Sequence, residues 1–148
     1  MEAADFISLA GKLTAAANAG EATYRTAVSR AYYGAFHVAL SFLAELGFSA
    51  PRTANVHAFV QHHLNASEQP AARTAASLLS DLHAARNRAD YQLGNPAVES
   101  QSFAKLCVET AHAVRSAVSE CRQPPTREQV RAGITAYVQR IAGMRQQG

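Results

Sequence analysis

The chain has 148 residues, of which 48% are hydrophobic and 17% are charged, and its formal net charge is +3. These values exclude a disordered chain, and no run of about 18 apolar residues is present to cross a membrane. The length is that of one domain. Because the first residues are acidic and then amphipathic, unlike a secretory signal, we expect a cytoplasmic protein.

Composition predicts an all-α protein. Alanine accounts for 32 residues, whereas isoleucine occurs three times and valine ten times. Alanine is the best helix former, and strands favour β-branched residues. Cys107 and Cys121 fall on one predicted helix, too far apart for a disulfide. The histidine spacing does not match a zinc site, so we predict neither a metal nor a cofactor.

Apolar residues at three-and-four spacing predict an up-and-down helical bundle of about five helices, followed by a C-terminal helix. The second predicted helix is the longest and forms the spine of the bundle. Gly94-Asn95-Pro96 cannot continue a helix and ends the fourth one near Tyr91. The six predicted helices cover approximately residues 4–18, 21–46, 53–64, 70–91, 98–120 and 127–143.

The Gln123-Pro124-Pro125 break divides the chain into a predicted five-helix bundle, residues 1–121, and a basic segment, residues 122–148, whose helix packs on or beside it. Thr126 and Gln129 match the capping-box pattern. Residues 122–148 hold five arginines and one acid, so the basic excess lies there. Such a segment either binds nucleic acid or an acidic partner, or forms a solvated helix face.

The densest group of polar side chains lies in the run LHAARNRADY, residues 82–91. Four of its members recur at three-and-four spacing and therefore share one helix face: His83, Arg86, Asn87 and Asp90. Asp90 lies in the last turn, where the helix dipole disfavours an anion. Local helix stability therefore does not explain this face. We expect a tertiary partner or a ligand, with a buried Arg–Asp network that holds the helix end as the structural alternative.

A second polar and aromatic run is SRAYYGAFH, residues 29–37. Gly34 inside a helix costs about 1 kcal/mol relative to alanine, which predicts a close helix contact there. Tyr32 and Tyr33 cannot both face the core centre, so at least one hydroxyl is expected to reach a polar partner. Plain packing explains the run equally well, and we expect His37 to be a core histidine.

The chain resembles the HEPN domain family through RTAVSRAYYGAFHVALSFL and, about fifty residues later, LHAARNRADY. The resemblance covers roughly residues 1–121. It implies a helical bundle that is often dimeric. Many members are metal-independent endoribonucleases of toxin–antitoxin, CRISPR and phage-defence systems, and others pair with an MNT nucleotidyltransferase encoded beside them. The resemblance therefore implies a homodimer, with RNA or an MNT-type nucleotidyltransferase as its partner.

The family's ribonuclease motif is an arginine, usually followed by a polar residue, with a histidine four to six residues further on. Arg86 matches the arginine and Asn87 the polar residue, but Tyr91 stands where the histidine is expected. The chain thus resembles the RNRADY variants of the family. Tyrosine, with a pKa near 10, is a poor base, and arginine cannot accept a proton. His83, one turn before Arg86, is the alternative base.

Three functions stay open. The first is a dimeric module of a toxin–antitoxin or defence system that binds RNA, a nucleotide or a partner nucleotidyltransferase through residues 86–91. Its ligand-binding candidates are Arg30, Tyr33, Arg88 and Asp90. The second is a metal-independent endoribonuclease toxin, with the catalytic candidates Arg86, Asn87, Tyr91 and His83. The third is a scaffold in which this segment is purely structural.

Overall fold

The computed structural model describes residues 1–53 and 55–147. This part of the chain contains six α-helices and no β-strand, which confirms the all-α bundle. The helices are α1 (Ala3–Ala15), α2 (Glu21–Glu45), α3 (Val56–Ala66), α4 (Pro70–Tyr91), α5 (Gln101–Cys121) and α6 (Thr126–Gln146). The third predicted helix included Ala54, which lies outside the described residues. None of the described helices is long and apolar enough to span a membrane.

The spine of the bundle is α2, which packs against α1, α3, α4 and α5. The apolar stripe predicted for it is buried, including Val28, Ala35 and Phe42. Alanines on the facing helices, such as Ala75 and Ala111, are fully buried as well. Small side chains let the helix backbones approach closely, so α2 can be covered on nearly all sides.

Gly34 allows α1 to pack closely against α2. A Cβ atom at this position would lie 2.5 Å from Cγ1 of Ile7 and 3.1 Å from the Ile7 backbone nitrogen. The close helix contact predicted at Gly34 is therefore confirmed. The same contact sets the rotation of α1. Ile7 and Ala10 are buried, whereas Leu9, which has the three-and-four spacing of an apolar stripe with Phe6 and Leu13, is 44% exposed.

The predicted end of the fourth helix, at Tyr91, is confirmed. The chain then makes a short 3-10 turn at Pro96–Val98 before α5. The Asn95 side chain accepts a hydrogen bond from the Ala97 backbone N–H at 3.0 Å and starts that turn. Ser100 accepts one from Phe103 N–H at 3.1 Å and caps α5. Because Ser100 is the cap, α5 begins about one turn later than predicted.

The C-terminal helix α6 packs against α3 and α5 through its buried residues Val130 and Ile134. A Cβ atom at Gly133 would lie 2.5 Å from the carbonyl oxygen of Ser67, so α6 crosses the end of α3 at backbone contact. The predicted capping box is wrong. Thr126 is already the first helical residue, because Pro125 precedes it in a helical conformation, and no side chain caps this end.

Both cysteines are buried on α5 and unpaired, as predicted. Burial raises the pKa of each thiol, Cys107 and Cys121, to about 11. Both thiols therefore stay protonated and act as small apolar side chains of the core.

Candidate functional site

The C-terminal end of α4 is held by Arg25 of α2, a buried residue that the sequence analysis did not select. Its guanidinium donates to the backbone carbonyls of Ala89 at 2.8 Å, Gln92 at 3.1 Å and Asn95 at 3.1 Å, and it pairs with the Glu99 carboxylate. A helix end leaves its last carbonyls without partners and carries a partial negative charge. Arg25 donates hydrogen bonds to these carbonyls and also supplies a positive charge beside the negative helix end.

Because Arg25 holds the helix end, Arg86 is not needed for that purpose. Nη2 of Arg86 donates to the Tyr33 hydroxyl at 2.8 Å, and Nη1 donates to Oδ1 of Asn87 at 3.0 Å. Nε lies 2.9 Å from Oδ2 of Asp90, but its N–H is not directed at that oxygen, so this ion pair is mainly Coulombic. The side chains of Arg86 and Asp90 are 15% and 30% exposed. The pair is therefore oriented by its own subunit without being sealed inside it.

A second guanidinium shares the Tyr33 ring with Arg86. The Cζ atoms of Arg30 and Arg86 lie 5.0 and 5.2 Å from the centroid of this ring. Arg30 also lies over Phe6 and donates weakly to the Ser29 hydroxyl at 3.4 Å. Ion pairs in the described part of the chain join Arg25 to Glu99, Arg86 to Asp90, and Arg122 to Glu45. Arg30 is thus the guanidinium of this group that has no carboxylate partner.

Arg30 and Asp90 line an open cleft of about 400 Å³ between α2 and the end of α4. The Ser29 hydroxyl reaches into the same cleft and donates to Asp90 at 3.4 Å. The side chain of Tyr91, which follows Asp90 in the sequence, is 72% exposed, and its ring lies 5.5 Å from Cζ of Arg86. The cleft therefore combines an uncompensated cation, a hydroxyl and a nearby exposed aromatic ring.

Arg88 does not join this group. It lines a separate cleft between α4 and α5, beside Phe103 and Cys107. Two residues along a helix correspond to a rotation of about 200°, so Arg86 and Arg88 face different neighbours. Arg88, one of the ligand-binding candidates, therefore does not face the same groove as Arg86.

His83 has its contacts with α3 rather than with Asp90. Its ring stacks on that of His57, with the centroids 4.8 Å apart and the planes 19° from parallel. Tyr32 of α2 completes the cluster: its ring centroid lies 5.2 Å from that of His83, and its hydroxyl contacts Nδ1 of His57. The three side chains line a pocket of about 280 Å³. We call these residues, Tyr32, His57 and His83, the imidazole cluster.

The imidazole cluster is uncharged near neutral pH. Burial lowers the pKa of His57, and the neighbouring His83 and Arg86 lower it further. Burial and the Arg86 charge likewise lower the pKa of His83. Burial raises the pKa of Tyr32, so its hydroxyl keeps the proton, and this hydroxyl forms a hydrogen bond with Nδ1 of His57. No group of three or more metal-ligating side chains occurs among residues 1–53 and 55–147.

Comparison with protein families identifies the family of the chain. The HEPN domain family matches the chain over residues 12–121, from the end of α1 to the end of α5. Neither the curated proteins nor the solved structures include a match to the chain. The family match spans most of the sequence and contains both runs that carry the resemblance. The chain is a member of the HEPN domain family.

Proposed function

We propose that this HEPN domain is a module of a toxin–antitoxin or defence system, acting as a homodimer, that binds RNA through Arg86 and Tyr91 of α4 together with Arg30 and Tyr33 of α2. One observation carries the proposal. Two guanidinium groups share the Tyr33 ring, and the one from Arg30 has no carboxylate partner among the described residues and lines an open cleft.

The chemistry of the cleft suits a phosphodiester strand. Guanidinium groups bind phosphate oxygens with two parallel N–H donors. Exposed aromatic rings stack unpaired bases, and Tyr91 lies within reach of Arg86. Asp90 neutralises one cation, which limits the attraction for phosphate in a single subunit. A symmetric homodimer doubles the uncompensated positive charge that is available to an RNA strand.

A free nucleotide offers the same phosphate chemistry as RNA, whereas an MNT-type nucleotidyltransferase is a protein partner. Tyr91 and Leu93, which are 72% and 76% exposed at the end of α4, would suit such a partner equally well. The uncompensated Arg30 favours an anionic ligand, so we prefer RNA to a protein partner. Competition by a nucleoside monophosphate against labelled RNA separates the two anionic ligands.

Fluorescence anisotropy of a labelled single-stranded RNA tests the proposal. Arg30→Gln should weaken binding about tenfold, which corresponds to about 1.4 kcal/mol and is reasonable for one charged hydrogen-bonding contact. Arg73→Gln is the matched control, because Arg73 is exposed in the first turns of α4 and its loss changes the net charge equally. Equal weakening by both variants, or none by either, would contradict the proposal.

A second candidate is the metal-independent endoribonuclease, in which Arg86 and Asn87 act with His83 or Tyr91. The observation that favours it is the neutral state of His83, since a neutral imidazole can accept a proton near pH 7. Incubation of RNA with the protein in EDTA should yield cleavage that Arg86→Ala abolishes. Intact RNA at high protein concentration would leave only the binding function.

A further inference from the structure

Asp90 is a carboxylate in a site that otherwise consists of cations and aromatic rings. The fold does not need an anion at this position, because Arg25 already holds the end of α4 and the helix dipole disfavours an anion in the last turn. Arg86 does not need it either, since Tyr33 and Asn87 orient this guanidinium and its Nε–H is not directed at the carboxylate. A carboxylate beside the RNA-binding groups also repels phosphate. Asp90 therefore suits a part of the ligand that donates hydrogen bonds.

Most of the acceptor positions of the Asp90 carboxylate are free. Oδ2 accepts a long hydrogen bond from the Ser29 hydroxyl at 3.4 Å, and Oδ1 has no hydrogen-bond donor among residues 1–53 and 55–147. An ionised carboxylate has about four acceptor positions, so it can take further donors on both oxygens. The cleft that Asp90 lines has a volume of about 400 Å³, and the small side chains of Ala22 and Ala89 leave room in it for a planar ring.

Arg30 and Asp90 line this cleft as opposite charges that do not pair. The described part of the chain contains no ion pair between them. The Ser29 hydroxyl lies between the two groups: it accepts from Nη2 of Arg30 and donates to Oδ2 of Asp90, each at 3.4 Å, which is long for a hydrogen bond. Both charged groups thus stay available to a ligand that carries an anion and N–H donors. A nucleotide of an RNA strand carries both, in its phosphate and in its base.

Guanine is the base whose edge matches a carboxylate. Its Watson–Crick edge carries two adjacent donors, N1–H and the N2 amino group, which can bind the two oxygens of one carboxylate in parallel. Adenine and cytosine each have one amino group beside an acceptor nitrogen, and uracil has its N3–H between two carbonyl oxygens. These acceptors repel an anion, so a carboxylate favours guanine over the other three bases. Unpaired bases of single-stranded RNA expose these edges to a protein.

We propose that Asp90 selects guanine in the bound RNA by accepting hydrogen bonds from N1–H and N2–H, while Arg30 holds a phosphate of the strand and the Tyr91 ring stacks on the base. The inference rests on the proposed RNA binding and adds base specificity to it. Tyr91 and Asp90 flank one guanidinium: the ring centroid lies 5.5 Å from Cζ of Arg86, and Oδ2 of Asp90 lies 2.9 Å from its Nε. A base that stacks on this exposed ring therefore has its edge close to the carboxylate.

Fluorescence anisotropy of the full chain with a labelled oligouridine that contains one guanosine tests this proposal. The comparison strand has adenosine at the same position, because adenine stacks as a purine but lacks the two adjacent donors. A good two-bond contact to a base discriminates by about tenfold or more, so the guanosine strand should bind about tenfold more tightly than the adenosine strand. A strand with inosine, which keeps N1–H and lacks the N2 amino group, should bind with an intermediate affinity.

Asp90→Asn replaces the carboxylate with an amide of nearly the same size. This variant should bind the guanosine and adenosine strands about equally, and its affinity for the adenosine strand should be no lower than that of the wild type. Asp81→Asn is the matched control, because Asp81 is an exposed acid of α4 that lines the separate cleft between α4 and α5. It should keep the tenfold preference for guanosine.

The comparison of strands uses the wild-type protein and does not depend on the folding of a variant. A wild type that binds the guanosine and adenosine strands equally, or an Asp90→Asn variant that keeps the preference, would overturn this inference and leave the proposed RNA binding intact. Equal affinities for guanosine and inosine would overturn the contact to the N2 amino group and with it the two-bond recognition. A wild type that binds none of the strands would overturn the proposed function as well.

Discussion

Replacing Arg25 with methionine should destabilise the fold by about 3 kcal/mol. Loss of one partner from a buried ion pair costs about 3–5 kcal/mol, because the other charge is left buried and unpaired. Here the Glu99 side chain retains 17% exposure, and water can reach the loop carbonyls that Arg25 serves, so the lower end applies. For a chain of this length, 1 kcal/mol shifts Tm by about 3 °C, which gives an expected decrease of about 9 °C.

Urea unfolding followed by far-UV circular dichroism measures the effect. Arg86→Met is the matched control, since it removes the same charge from the same region. None of its partners Tyr33, Asn87 and Asp90 is fully buried, so water can replace the lost contacts, and we expect a loss of about 1 kcal/mol. Hydrogen exchange at the end of α4 should accelerate in Arg25→Met only. Equal losses of stability in the two variants would refute the division between a structural arginine and a ligand-facing one.

Two further predictions concern packing and pH. Gly34→Ala gains about 1 kcal/mol of helix propensity but forces a Cβ to within 2.5 Å of Cγ1 of Ile7, so we expect a net loss of stability that is smaller when measured in an Ile7→Ala background. Gly143→Ala, which has open space around it, should stabilise α6 instead. Because burial lowers the pKa of His57 and His83, the unfolded chain binds more protons, and stability should fall as the pH drops below about 6.5. His57→Gln should reduce this loss of Tm between about pH 7.5 and pH 5, and an unchanged loss would contradict the assigned pKa shift.

The fold was predictable because its signals are local. Alanine content and three-and-four apolar spacing identify helices without knowledge of their neighbours. Gly34 indicates a close contact because a glycine lowers the stability of a helix and is otherwise unfavourable there. The predictions that were wrong concern features that depend on contacts with another helix or on the preceding residue. The rotation of α1 depends on Ile7 fitting against Gly34, and the start of α6 depends on the conformation of Pro125 rather than on Thr126.

The site was predictable only along one helix. Spacing correctly brings Arg86, Asn87 and Asp90 together, since all three lie within two turns of α4. The sequence contained a usable indication for Arg25. This residue stands three residues before Val28, on the apolar stripe of α2, where a buried cation requires a partner. The sequence contained no such indication for His57, because its position beside His83 results from the packing of α3 against α4.

The salt dependence of RNA affinity tests the central claim most directly. A phosphate contact releases counterions, so the logarithm of the affinity for a single strand falls with the logarithm of salt concentration by about 0.7 per contact. If Arg30 binds a phosphate, Arg30→Gln should lower this slope by about that amount, while Arg73→Gln should keep the wild-type slope. Parallel lines for the wild type and Arg30→Gln would show that the guanidinium beside Tyr33 does not contact RNA.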